Sequence, residues 1–369
     1  MLSLIYRVPS PLHISSQAAR IYKQSRPIFR TNSPGRTMSS HYAAAHQNLK
    51  GPGDARPTAL DIVRDEGLEG KLSAKVALIT GCSSGIGIET ARALHATGIR
   101  LFLGVRDTVK GQSALSDILK PGRVDLLKMD LNSLESVRAA VAEFHKKSQT
   151  LNILINNAGV MATPQGKTAD GFETQFGTNH LAHFLLFQLL KPTLLASSTS
   201  SFNSRVVALS SSGHRAGGIR FDDYGFEKGD YSPWSAYGQS KTANIYMANE
   251  IERRYGTKGL HGLSVMPGGI MTGLQVHVPD AMKESWSKDD EVGKYMKSPE
   301  QGAATTVHAA LSKEWEGKGG RYLEDCREAT QSEGGSALAL GHAPHAYDEQ
   351  GEKRLWADSL QFVGFRDDD

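Results

Sequence analysis

Tyr237 and Lys241, four residues apart, are the side chains best suited to chemistry in this sequence. On a helix that spacing puts both on one face, one turn from each other. A tyrosine with a pKa of about 10 is a poor acid–base group at neutral pH. A neighbouring ammonium stabilises its phenolate and makes the pair a usable proton donor and acceptor. Far upstream, Gly81, Gly85 and Gly87 form a glycine-rich run. Where such a run joins a buried strand to a helix, its backbone N–H groups and the helix dipole suit a phosphate. The spacing Gly-x-x-x-Gly-x-Gly differs from the commoner Gly-x-Gly-x-x-Gly. The next apolar run ends in Gly104-Val105-Arg106-Asp107. An acid there favours NAD through the ribose 2′-hydroxyl, and an arginine favours NADP through the 2′-phosphate. Arg106 falls at the phosphate-reading position, so NADP is expected over NAD. Asp107, one residue on, would reverse the choice under a one-residue slip.

These groups need a frame. Val76–Thr80 is an apolar run of the kind that forms a buried parallel strand. A helix is predicted from Ile86 to about Thr97, with Gly98 at its end. Further strands are predicted over Arg100–Val105, Val124–Met129, Leu151–Ile155, Arg205–Leu209 and Gly262–Val265. Asn132 and Glu135 resemble a capping box that opens a helix to about Lys147. Two more helices are predicted over Phe172–Leu195 and Trp234–Tyr255. Alternation of this kind means βαβ units. The expected class is α/β, a single doubly wound (Rossmann) parallel sheet with helices on both faces. Three segments are expected: a basic leader or disordered extension over 1–37, an irregular lead-in over 38–70 marked by Gly51-Pro52-Gly53 and Pro57, and a dinucleotide-binding catalytic domain over 71–369.

The composition bounds the partners. The 369 residues carry 42 Lys plus Arg against 39 Asp plus Glu, a net charge of +3. Arg7, Arg20, Lys23, Arg26, Arg30 and Arg36 lie within the first 37 residues, which contain no acid, so residues 38–369 carry −3. The surplus therefore gives no ground for a nucleic-acid partner. An Arg-rich, Ser-rich, acid-free leader has the profile of a mitochondrial transit peptide. A disordered tail, or a chain that starts at Met38, is the simpler reading and makes the location cytoplasmic. No apolar stretch reaches the roughly 18 residues that a membrane anchor needs. Cys82 and Cys326 cannot form a disulfide framework or a four-thiolate zinc site.

Thr80-Gly81-Cys82-Ser83-Ser84-Gly85-Ile86-Gly87, Asn156-Asn157-Ala158-Gly159, Ser211, Tyr237-x-x-x-Lys241 and Pro267-Gly268 occur in that order within about residues 72–325. This set resembles the short-chain dehydrogenase/reductase family. Phe176 to Leu186, Ser210-Ser211-Ser212-Gly213-His214 and Pro299-Glu300-Gln301-Gly302-Ala303 resemble its retinol-dehydrogenase-like and WW-domain-oxidoreductase-like branch, although no WW domain is visible. The resemblance implies that Tyr237 gives a proton to a carbonyl oxygen in reduction, or takes one in oxidation. Lys241 would lower the Tyr237 pKa and hold the nicotinamide ribose. Ser211 would hold the substrate oxygen, with Ser210 and Ser212 as near alternatives. Asn179 would interrupt a helix and hold a proton-relay water. The cofactor would lie on Gly81, Ser83, Gly85, Ile86 and Gly87, with Arg106 at its phosphate and Asp130 at its adenine. Asn157, Ala158 and Gly159 would line its ribose, beside Tyr237 and Lys241. Pro267, Gly268 and Thr272 would cover the nicotinamide amide.

The expected activity is NADP-dependent interconversion of a carbonyl and an alcohol by hydride transfer, favouring reduction of a lipophilic ketone or aldehyde by analogy with the branch. A catalytically silent NADP-binding scaffold or regulatory protein is the alternative, but it would not need all of Asn179, Ser211, Tyr237 and Lys241. An epimerase or dehydratase would carry a different glycine loop. Partners are then a small substrate and a homodimer mate, the latter a matter on which the sequence itself is silent. His180, His183 and His214 lack a third ligand at metal spacing, so packed or solvated histidines and no metal are expected. Cys82 reads as a small packing residue. Tyr231 and Trp234 are expected at the substrate mouth. Leu274–Lys297, with Trp286, lies where the family has a mobile substrate loop that sets substrate choice.

Overall fold

Every residue of Val76–Thr80 is buried, as an apolar run without alternation demands of a strand covered on both faces. The structure is a computed structural model and describes residues 40–334 and 338–366. The leader, with its targeting reading, lies outside the described residues.

Helix α1 (Ala59–Asp65) precedes strand β1 (Val76–Thr80). Then come α2 (Ile86–Ala96), β2 (Arg100–Val105), α3 (Thr108–Ala114), β3 (Val124–Lys128), α4 (Leu134–Lys147) and β4 (Ile153–Asn156). The second half runs α5 (Ala182–Ser197), β5 (Ser204–Leu209), α6 (Pro233–Tyr255), β6 (Leu260–Met266), α7 (Asp280–Lys288), α8 (Asp290–Tyr295), α9 (Ala304–Leu311), β7 (Arg321–Glu324), β8 (Arg327–Glu328) and α10 (Glu349–Val363). The strands form one sheet of eight in the order β3-β2-β1-β4-β5-β6-β7-β8. All neighbours pair in parallel except β7 and β8. The order reverses between β1 and β4, and the crevice beyond their carboxyl ends is where open α/β sheets bind ligands.

Alternation along β1 explains the two helical layers. Ala77 and Ile79 join a core with Ile62 of α1, Leu94 of α2 and Val307 of α9. Val76 and Leu78 face the other core, with Phe144 of α4, Leu185 of α5, Met247 of α6 and Trp356 of α10. Full burial of such side chains contributes about 1.5–3 kcal/mol each. Among the described residues no helix is long and apolar enough to cross a membrane.

Four local expectations need correction. The lead-in over 38–70 holds helix α1, capped reciprocally: Asp61 N–H donates to Thr58 Oγ1 at 3.2 Å and Thr58 N–H donates to Asp61 Oδ2 at 2.9 Å. Helix α4 is capped by Ser133, whose hydroxyl accepts from Ser136 N–H, and not by Asn132 with Glu135. The helix expected over Phe172–Leu195 runs without a break over residues 174–197 but holds a π-helical segment. A turn at Thr174–Phe176 passes into a π-turn at Gly177–Leu181 before α5 begins. Strands β7 and β8 were not expected: they are four and two residues long, and Asp325 and Cys326 take positive φ at their turn without a glycine to announce it.

Candidate active site

The four side chains expected to do chemistry converge from three separate places. Tyr237 and Lys241 lie one turn apart on α6, which Ser232 caps and Pro233 opens. Each is 4% exposed. Lys241 Nζ lies 5.6 Å from the Tyr237 ring centroid and donates to the Leu209 carbonyl, at the end of β5, at 3.2 Å. Burial penalises the charged form of both groups. It pushes the Tyr237 phenol up to about 12, against the pull of a hydrogen bond with the Ser211 hydroxyl. It lowers the Lys241 ammonium to about 8. The tyrosine therefore holds its proton through the neutral range, and the lysine titrates just above that range.

The serine run is sorted by geometry. Ser210 Oγ donates to the Lys241 carbonyl at 2.9 Å and is committed to the fold. Ser212 opens the 3-10 turn Ser212–Ala216. Ser211 Oγ accepts from Gly213 N–H at 3.0 Å and meets the Tyr237 phenol. Asn179 occupies the π-turn, a form often found at functional sites. Its Oδ1 accepts from Val160 N–H at 2.8 Å, and its Nδ2 donates to the Val160 carbonyl and to Ser240 Oγ, each at 2.9 Å. Ser240 in turn donates to the Tyr237 carbonyl at 2.8 Å. Gly159 lies between the two partners: a Cβ there would come 3.1 Å from Asn179 Oδ1 and 3.4 Å from Lys241 Nζ.

The expected cofactor residues gather at the β1–β4 crevice. Gly85 caps α2 with φ 62°, so the loop holding Gly81, Ser83 and Gly85 aims backbone N–H groups of Ile86 and Gly87 outward. A Cβ at Gly87 would lie 2.3 Å from the Gly81 carbonyl and 2.7 Å from Asn157 Nδ2, so only glycine lets the loop fold there. Asn157 Nδ2 donates to the Thr80 carbonyl at 2.8 Å. Asn157 Oδ1 is buried and has no partner among the described residues. Ala158 packs on Gly81. Thr272, after Pro267 and Gly268, packs over Gly85 and brings the loop after β6 onto the glycine loop. Asp130 follows β3, half-buried, and its Oδ1 accepts from Asn132 N–H at 3.0 Å.

At the end of β2 the two rival residues separate. Arg106 is exposed and makes no ion pair among the described residues. Asp107 is used elsewhere: its Oδ1 caps α3, accepting from Val109 N–H at 2.9 Å and Lys110 N–H at 3.0 Å. A glycine turn at a helix N-terminus, an unpartnered acceptor at Asn157 and a guanidinium at the far strand end fit a dinucleotide.

Over Tyr237 the wall is apolar. Met161, Ala162 and Val278 are buried there, with Trp234, Leu274, Met282 and Trp286 packed against them. Trp234 meets the Tyr237 ring edge-on at 6.4 Å. Tyr231 acts as a brace: its hydroxyl donates to Glu173 Oε1 and accepts from Gln175 Nε2, each at 3.0 Å. His180 pairs with Ser359 Oγ at 2.9 Å, and His214 Nδ1 donates to the Ser211 carbonyl at 2.6 Å. Among the described residues no His, Cys, Asp or Glu cluster could hold a metal. Cys82 is buried, and burial pushes its thiol pKa up, which suits a packing residue.

Sequence reasoning missed three residues. Gly213 makes room for the phenol: a Cβ there would lie 2.8 Å from Tyr237 Cε1. Ser240, inside the Tyr-x-x-x-Lys motif, joins Asn179 to α6. Lys297, buried, donates to Asp325 Oδ1 at 2.7 Å and to the Pro267 carbonyl at 3.3 Å, holding the loop after β6 from below. Gly213 and Ser240 stand next to expected residues, a signal that could have found them. Lys297 carries none, because a buried lysine reads like any other in sequence.

Comparison with known proteins agrees with this geometry. The family description for short chain dehydrogenase matches residues 75–283. The chain is 58% identical over 323 residues to the short-chain dehydrogenase/reductase prx1 of Penicillium roqueforti, covering 87% of this chain and 94% of that one. It is 38% identical over 299 residues to retinol dehydrogenase 12 of Homo sapiens, covering 80% and 88%. A solved structure of an uncharacterized protein from Mycobacterium Paratuberculosis superposes with TM-score 0.60 at 32% identity, covering 80% of this chain and 97% of that one. The chain belongs to the short-chain dehydrogenase/reductase family, in its retinol-dehydrogenase-like branch, and is an oxidoreductase acting on CH–OH and C=O groups.

Proposed function

We propose that this protein is an NADP-linked reductase of lipophilic ketones or aldehydes. The observation that carries the cofactor reading is the split at the end of β2, where Arg106 stands exposed while Asp107 is spent on capping α3. An exposed guanidinium favours a 2′-phosphate, while Asp107 beside it has its Oδ1 engaged as the α3 cap. The apolar wall of Met161, Val278, Trp234, Leu274 and Trp286 supports a lipophilic substrate. The name of retinol dehydrogenase 12, a relative in the same branch, points to a lipophilic alcohol and supports the same class.

When bound, the reduced nicotinamide supplies the hydride. The side chains handle the oxygen. Tyr237, protonated with its phenol at about 12, gives its proton to the carbonyl oxygen as charge develops there. The Ser211 hydroxyl holds that oxygen in place. Lys241, at about 8, is charged at neutral pH and supports the phenolate left behind. Asn179 ties Val160, the residue after Gly159, to Ser240 of α6. The scaffold alternative has no use for a desolvated Tyr–Lys pair.

The test is transfer of label from NADPH carrying deuterium at both C4 positions to an apolar ketone. One deuterium on the carbinol carbon of the product alcohol is the expected result. Cofactor oxidation without label in an alcohol would refute the reading.

A further inference from the structure

His183 is a buried histidine whose bonds reach both the π-turn of Asn179 and the cofactor crevice at Thr80. The ring is 1% exposed. Nδ1 lies 2.9 Å from the Asn179 carbonyl and Nε2 lies 2.8 Å from Thr80 Oγ1. A carbonyl can only accept, so Nδ1 carries a proton. Burial lowers the imidazole to about 4, so the ring is neutral and Nε2 is an acceptor. The Thr80 hydroxyl must then donate to Nε2. Thr80 Oγ1 in turn accepts from the N–H groups of Asn157 and Ala158, each at 3.0 Å. One tautomer satisfies this whole chain. The flipped tautomer leaves the Asn179 carbonyl facing a bare nitrogen.

We propose that His183 is a positioning residue: its neutral Nδ1–H imidazole ties the Asn179 carbonyl in the π-turn to Thr80, and through Thr80 to the Asn157–Ala158 backbone at the cofactor crevice. The inference rests on the proposed reduction for its kinetic consequences. A π-turn is a local irregularity that must be held by its surroundings. His183 holds it from the first turn of α5. An aliphatic residue at this position would leave a buried hydroxyl and a buried carbonyl lone pair unpaired.

The test uses the full chain with His183→Phe, which keeps a ring but removes both bonds, and His183→Gln, which offers one donor and one acceptor. His183→Phe is expected to lower kcat about 10- to 100-fold, with the carbonyl KM changed less than about threefold. Its solvent deuterium isotope effect on kcat should rise, because proton delivery becomes slower than hydride transfer. NADP+ affinity, by calorimetry, should weaken about threefold or more through Thr80. His183→Gln should recover part of each loss. In the wild type, long-range ¹⁵N spectra should show His183 protonated at Nδ1 and bare at Nε2 at neutral pH. A lower Tm with unchanged kcat, isotope effect and NADP+ affinity would mean a merely structural histidine and overturn the proposal. A wild-type ring protonated at Nε2 would overturn it as well. Should His183→Phe fail to fold, His183→Gln and the spectra decide. Should the wild type reduce no carbonyl, the proposed function fails, and the tautomer with the NADP+ titration still decides the tie.

Discussion

Tyr237, Lys241 and Asn179 are buried and held by hydrogen bonds to strand ends, loops and neighbouring helices, whereas the short helices α7 and α8 contain no fully buried residue, and α7 lays only the partly buried Met282 and Trp286 on the apolar wall. The upper segment is fixed at its ends instead. Thr272 and Gln275 cap each other where it begins. Where it ends, the Arg56 guanidinium donates to the carbonyls of Tyr295 at 2.8 Å and Met296 at 2.6 Å, which closes the last turn of α8. Between these anchors Val278 is buried and Met282 and Trp286 are partly buried on the wall, while the polar side chains make ion pairs and a cap within the segment itself. A floor with this many mutual bonds has one geometry, and positions a proton donor closely. A segment pinned only at its ends can change sequence without disturbing that donor, which is where substrate choice is cheapest to alter.

The contrast can be broken from either side. Tyr237→Phe should lose about 10²- to 10⁴-fold in kcat, because it removes the donated proton and leaves the packing. Its Tm should stay within a few degrees of wild type, and a collapse of the fold would show that the hydroxyl is structural. Arg106→Asp should lower kcat/KM with NADPH about 10- to 100-fold, the worth of a charge-assisted bond to phosphate, and leave the NADH value equal or higher. Equal losses with both cofactors would remove Arg106 from the 2′-phosphate. The pH profile tests the floor directly. Lys241 has its pKa lowered to about 8, so its charge is present below that pH and lost above it. Reductive kcat should be flat through neutral pH and fall above about 8, at most about tenfold per unit. A profile flat to pH 10 would mean that the charge on Lys241 is not used. Trp286→Ala is the smallest change: the carbonyl KM should rise about 3- to 10-fold, kcat should hold, and Tm should barely move. A large loss of stability would show that the upper segment is part of the core.

Much of the floor was legible because its chemistry is tied to spacing. A glycine loop must follow a strand and open a helix, and Tyr237 and Lys241 must sit one turn apart. Six strands, Val76–Thr80 through Leu260–Met266, were legible as short runs rich in apolar residues, and their parallel pairing followed from alternation with helices. What stayed hidden depends on contacts across long sequence distance. Arg56 and Met296 meet across 240 residues, and nothing local to either marks the pairing. Helix α1 carried a legible signature in Thr58 and Asp61, but glycines and prolines just before it read as irregular chain. The π-turn at Asn179 was invisible to helical periodicity, because the apolar pattern continues through it. His183 read as packing because its two partners, Thr80 and the Asn179 carbonyl, are identified only by folding.

The most direct measurement is kcat/KM of the wild-type chain for apolar aldehydes and ketones with NADPH against NADH. Carbonyl-dependent oxidation that favours NADPH by about tenfold or more is the predicted result, from a guanidinium facing a 2′-phosphate in place of a hydroxyl. Equal or better use of NADH, or no carbonyl-dependent oxidation of either cofactor, would contradict it.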